Sequence, residues 1–188
     1  MAHRPDRPQS ARRPKGDSVK RAETNGGGKR KPKPKPKPKP VNRGAHRRAE
    51  VVEFSRSLVG IREIPTHSNS GPAVRVIQSS TGAYGAPWCV STVQHEDLHV
   101  LGSTWADRTA GVYYYLEYAR ERGCLVARPL PGDVVAYLIG AGHMGRVIAV
   151  HADGSFDAVE GNEADAVRIV PRNPRYLPCR FIRRPEYR

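Results

Sequence analysis

Five Lys-Pro repeats run without interruption from Lys31 to Pro40. A proline at every second position fixes φ and removes backbone donors, so neither helix nor sheet is open to this stretch, and polyproline II, about 3.1 Å per residue, is what remains. The residues before it are rich in Arg, Lys, Pro and Gly with almost no large apolar side chain. They bury too little surface to offset chain entropy. Residues 1–45 are therefore predicted to be a disordered basic arm with a Lys-Pro linker, and 46–188 a single folded domain. Charge divides near the same place. Residues 1–48 hold 8 Lys and 9 Arg against Asp6, Asp17 and Glu23, whereas the remainder has no Lys and equal numbers of Arg and acids, so the whole formal charge of +14 sits in the first quarter of the chain. A nucleic-acid-binding fold carries its charge on a structured face, which this domain does not. The arm reads either as a solvated spacer or as an electrostatic tether to an anionic polymer such as a wall polymer, a nucleic acid or lipid head groups.

No apolar run approaches a membrane span, and the N-terminal stretch lacks the apolar core of a signal peptide. The three cysteines, Cys89, Cys124 and Cys179, form no CxxC pair or other zinc spacing and are too few for a disulfide scaffold. Nothing in the sequence supports a Cys124 to Cys179 bridge.

From residue 46 onward the apolar periodicity becomes regular. Val51, Val52, Phe54, Leu58 and Val59 recur at helical spacing before Gly60, which predicts a helix over 46–59. A second helix is expected over 73–79 with Pro72 in its first turn, and a third begins at Cys89 with Val90, Val93, Leu98 and Leu101 on its apolar side and Gly102 as its stop. A fourth runs over 109–122, ending at Gly123. The second half is different: 134–139, 143–151, 155–162, 166–170 and 179–183 read as strands, with Asp153-Gly154 a strong hairpin signal. Helices followed by an antiparallel sheet make an α+β domain, N-terminal helices packed on a C-terminal sheet.

Cys89 is the candidate nucleophile. The loop Tyr84 to Pro87 delivers it to a helix start, where unpaired backbone N–H groups push a thiol toward thiolate and offer oxyanion donors. The plainer alternative is a small buried hydrophobe. The hairpin bears on the choice. With a two-residue turn at Asp153-Gly154, Val147 falls opposite Glu160 and Gly145 opposite Asn162, so that His143, Glu160 and Asn162 share one face with Gly145 leaving room among them. A nucleophile, a base and a polar group to orient the base are the parts of acyl transfer. A three-residue turn with a bulge would shift this register.

The set Gly60-Ile-Arg-Glu63-Ile-Pro65, Ser68-Asn69-Ser-Gly71-Pro72, Pro87-Trp88-Cys89, Pro131-Gly132-Asp133, Gly142-His143-Met144-Gly145 and Val159-Glu160-Gly161-Asn162 resembles the CHAP domain, the cysteine- and histidine-dependent amidohydrolase/peptidase family, over roughly residues 49–185. The resemblance implies a papain-like fold and cleavage of peptidoglycan, as an N-acetylmuramoyl-L-alanine amidase or an endopeptidase. It further implies Cys89 as nucleophile, His143 as base, and Glu160 and Asn162 as the polar partners. A monomeric phage endolysin made in the host cytoplasm and released by a holin, or carried in a virion, fits the missing signal peptide. Some members bind calcium through acids just upstream of the cysteine, but 79–87 holds none, so no metal or other cofactor is expected. Arg146 stands where the family continues apolar; by alternation it points away from the catalytic face, and activity is expected to survive it. The competing reading is a catalytically silent module that binds wall polymer or nucleic acid through the arm.

Other residues have bland readings beside the sharper ones. Trp88 is either packing or a wall of the substrate cleft. Tyr113, Tyr114, Tyr115 and Tyr118 are core or groove wall, or stack on sugars or bases. His95 and His99 are four apart, yet Glu96-Asp97 between them is not a metalloprotease pattern, and they read as solvated or partner-facing. His67 and His151 read as surface residues.

Overall fold

Asn42 accepts a hydrogen bond from the backbone N–H of Ala45 through its side chain, and this cap starts the first helix, α1 (Arg43–Ser57). It begins three residues before the expected 46, inside the stretch assigned to the arm. The computed structural model describes residues 42–188; the rest of the expected disordered arm lies outside the described residues. Three more helices follow, α2 (Pro72–Gln78), α3 (Cys89–Leu101) and α4 (Val112–Glu121). The strands are β1 (Leu125–Val126), β2 (Val134–Tyr137), β3 (His143–Val150), β4 (Phe156–Glu163), β5 (Ala166–Arg172) and β6 (Cys179–Ile182). They form one antiparallel sheet in the order β1-β6-β2-β3-β4-β5. The fold is α+β, as the change from helical to alternating periodicity predicts.

Side chains alternate across the sheet, and each face has its own apolar cluster. On one, Val134, Ala136, Met144 and Ile182 pack against Cys89, Val90 and Val93 of α3 and Val112, Tyr115 and Ala119 of α4, while Ile148, Val159 and Val167 meet Leu58, Val74, Ile77 and Trp88. On the other, Val135, Tyr137, Val147, Phe156, Ala158 and Phe181 pack together. Burial of each large apolar side chain is worth about 1.5–3 kcal/mol.

The apolar side of α3 differs from expectation. Leu98 is 41% exposed, whereas Glu96 and Asp97 are fully buried. Arg146 of β3 is the reason. Its guanidinium, also fully buried, bonds Glu96 Oε2 at 2.9 Å, Asp97 Oδ1 at 2.8 Å, and the carbonyls of Gly132 and Val93. Arg184 and the Tyr187 hydroxyl complete the shell of Asp97. Asp97 stays below the usual carboxylate range: burial would raise it, but Arg146 and Arg184 overcome that. Glu96, with one oxygen lacking a partner among the described residues, is pushed up by burial to about 7 in spite of Arg146.

The β3–β4 hairpin also departs from the two-residue turn. His151 N–H bonds the Ser155 carbonyl across a three-residue turn with Gly154 at φ +86°. The register then slips again between Val147 and Ala149. Two one-residue shifts restore the original parity, so His143, Gly145, Val147 and Glu160 still share a face, with Glu160 opposite Gly145 rather than Val147.

Candidate active site

Cys89 is the first residue of α3 and follows Trp88, which makes no side-chain cap. The backbone N–H groups of that first turn therefore stay available at the end of the helix where positive partial charge gathers. Two contacts fix where this helix start lies. Trp88 Nε1 donates to Glu63 Oε1 at 2.9 Å, and Glu63 Oε2 in turn accepts from the Asn69 N–H at 2.8 Å. One turn further on, Thr92 lies against Gly161 of β4 so closely that a Cβ on the glycine would overlap its side chain. Helix α3 is thus pinned to the end of the sheet where β3 begins and β4 ends.

His143 opens β3 at that end, and the Cys89 thiol is one of the groups that raise its pKa. Its Nε2 is 3.0 Å from Glu160 Oε2. With Nε2 engaged, Nδ1 is the nitrogen left to face sulfur. Burial alone would lower the imidazole pKa, but hydrogen bonds to Cys89 and Glu160 and their charges raise it to about 9. A charged imidazolium is therefore the state of His143 that this arrangement favours near neutral pH.

Glu160 is fully buried and accepts four hydrogen bonds. Besides His143, Tyr137 donates its hydroxyl to Oε1 at 2.5 Å, and Arg172 spans both oxygens at 2.9 and 2.5 Å. Burial pushes its pKa up; the bonds from Arg172, His143 and Tyr137 outweigh that and hold it below the ordinary value. Gly145 opposite makes room, since a Cβ there would stand 2.7 Å from Glu160 Cγ.

The expected site residues fare differently. Cys89, His143 and Glu160 converge. Asn162 does not join them: the pairing of β4 with β5 is interrupted between Glu160 and Glu163, and Asn162 adopts φ +59° in that irregularity, which breaks the alternation that would put it beside Glu160. Among the described residues its side chain makes no hydrogen bond to His143. Glu163 stands nearer, with Oε2 3.8 Å from His143 Nε2. Trp88 lines no cleft. It is completely buried against Leu58, Val74 and Ile77 with its indole N–H spent on Glu63. Tyr115 is core, while Tyr113 and Tyr114 are about half exposed, bonding the Gly140 carbonyl and Asp107. All three cysteines are free thiols.

Tyr137 and Arg172 escaped the sequence reading. Their place depends on how β2 and β5 pair with the hairpin, which is not local information, and Arg172 lies beyond the strand expected over 166–170.

His143, Glu160 and Glu163 each bring a ligand atom within 4.8 Å of the others, the one such group among the described residues. The donor set is a poor match for a resident cation, because Arg172 already lies against both carboxylates, 3.4 Å from Glu163 and 2.5 Å from Glu160. Comparison of the chain with family models, with curated proteins and with solved structures finds no match in any of the three.

Proposed function

We propose that the protein is a cysteine amidohydrolase or peptidase of the papain-like CHAP type, with Cys89 as nucleophile, His143 as acid and base, and Glu160 as the group that orients the imidazole. The observation that carries this reading is a helix-start thiol, an imidazole whose pKa that thiol helps to raise, and a buried, ionised carboxylate 3.0 Å from the imidazole Nε2. In this reaction the Cys89 sulfur attacks an amide carbonyl and the thiol proton resides on His143. The oxyanion is met by the uncapped N–H groups of the first turn of α3. Collapse expels the amine, which takes the proton from His143; water, deprotonated by the same ring, then cleaves the thioester and restores the thiol.

Peptidoglycan as substrate rests on the sequence motifs that resemble the family, and a phage lysin is the setting they suggest. Incubation with purified cell walls, followed by mass spectrometry of the released muropeptides, tests it: new amino termini separate endopeptidase from amidase. Cys89→Ala and His143→Ala should each abolish release while preserving the fold. A wild-type protein that leaves walls intact, yet binds them or DNA only when residues 1–41 are present, would replace this reading with that of a binding module.

A further inference from the structure

We propose that Arg172 and Tyr137 are positioning residues, which hold Glu160 as an ionised and immobile acceptor so that His143 presents Nδ1 to Cys89 and can release its proton to the leaving amine. The proposal rests on the cysteine–histidine reading above, though not on the identity of the substrate.

The groups that face the imidazole come from four elements: Cys89 from α3, Tyr137 from β2, Glu160 and Glu163 from β4, and Arg172 from β5. Two of them are carboxylates close to the same nitrogen, Glu160 at 3.0 Å and Glu163 at 3.8 Å. Left to themselves they would set two competing outcomes. The buried one would tend to take up a proton and cease to be an acceptor; the pair together would hold the imidazolium too firmly for proton release. Arg172 meets both problems. Its fork occupies both oxygens of Glu160 and reaches Glu163 at 3.4 Å, which keeps Glu160 charged and shares the negative field between two cations.

The same residues fix the ring in space. The Arg172 guanidinium lies 5.3 Å from the centre of the Tyr137 ring, and that ring stacks on His143 at 5.8 Å with planes 16° apart. Guanidinium, phenol and imidazole thus form layers, while the phenol hydroxyl and the guanidinium fork clamp Glu160. Arg172 is only partly exposed, with 24% of its side chain accessible.

The test follows Cys89 itself rather than turnover. Iodoacetamide alkylation of the full chain is measured from pH 4 to 10, with the Cys89 peptide quantified by mass spectrometry so that Cys179 does not contribute. Wild type should give two inflections, one for formation of the thiolate–imidazolium pair and one for loss of the imidazole proton. Removal of a nearby positive charge raises the pKa of every neighbouring group, so Arg172→Met should move both inflections upward by on the order of one pH unit. Arg172→Lys, which keeps charge without the fork, should bring them back toward wild type. A profile for Arg172→Met that superimposes on wild type, with only a lower melting temperature, would overturn the proposal. If Arg172→Met does not fold, Tyr137→Phe decides: loss of one donor to Glu160 should raise the acid inflection, and an unmoved inflection overturns the proposal. Walls left uncut by a wild type with the two-inflection profile would remove the substrate reading alone. Wild-type Cys89 alkylated like an ordinary thiol would remove the cysteine–histidine reading, and this proposal with it.

Discussion

Gly161 on β4 and Thr92 on α3 are in such close contact that no methyl group fits between them. The contact sets the depth at which α3 rests on the sheet, one turn from Cys89. Gly161→Ala must push α3 away, at a cost of about 1–3 kcal/mol for overpacking. If the proposed chemistry holds, a displacement near 1 Å lowers turnover by about 100-fold. Urea unfolding and wall digestion measure the two effects, and Thr92→Ala in the same chain should recover much of both. Independent, additive losses in the double variant would show that the contact is not the cause.

Glu63 joins the loop before α2 to Trp88, the residue preceding Cys89. Trp88→Phe leaves one oxygen of a carboxylate that is 2% exposed without its donor, and Glu63→Gln sets an amide against the Asn69 N–H. Each should destabilise the domain by about 1–3 kcal/mol. Both act on the same carboxylate, and with the indole N–H gone the amide oxygen can turn to accept from Asn69, so the double variant should lose clearly less than the sum, as a double-mutant cycle in urea would reveal.

Arg146 is expected to matter for folding and not for chemistry. Arg146→Met removes the cation between Glu96 and Asp97 and leaves two buried carboxylates short of a partner, a loss of about 3–5 kcal/mol. A variant that keeps the wild-type unfolding midpoint would contradict this account of the buried network.

The His143 pKa is raised from 6.5 to about 9, so the native state binds this proton more tightly than the unfolded chain does. Its contribution to stability is complete below pH 6.5 and disappears as pH climbs through 9. Glu160 is shifted the other way; its contribution is present above the ordinary carboxylate range and is lost on acidification through its lowered value. The stability gap between wild type and His143→Gln should accordingly be large at pH 6 and much smaller at pH 9.5, measured by urea unfolding at each pH. A gap that does not change with pH would mean that the imidazole carries no such proton.

The order of the four helices and of β2 to β6 was legible from their periods, whereas β1, two residues long, has no period to read. The face shared by His143 and Glu160 was legible too, though through two errors of register that cancel: the turn has three residues, and a second slip at Ile148 restores parity. Asn162 was misplaced because alternation was extended through a residue whose φ is +59°; asparagine tolerates that region, so the signal was present but weak. The burial of Glu96 and Asp97 could not be read locally, since it depends on Arg146 some fifty residues away reaching α3. Trp88 was ambiguous for the same reason, its partner Glu63 lying in a separate loop.

Tyr137, His143, Glu160 and Arg172 come from β2, β3, β4 and β5, one from each of four neighbouring strands, and the pairings of Tyr137 with His143, Gly145 with Glu160 and Phe156 with Arg172 put all four on one face. A one-residue slip in any of those pairings sends a member to the opposite side. The cluster therefore works as a lock with four tumblers: a misassembled sheet leaves Glu160 without its clamp, and the imidazole meets its carboxylate only with correct assembly.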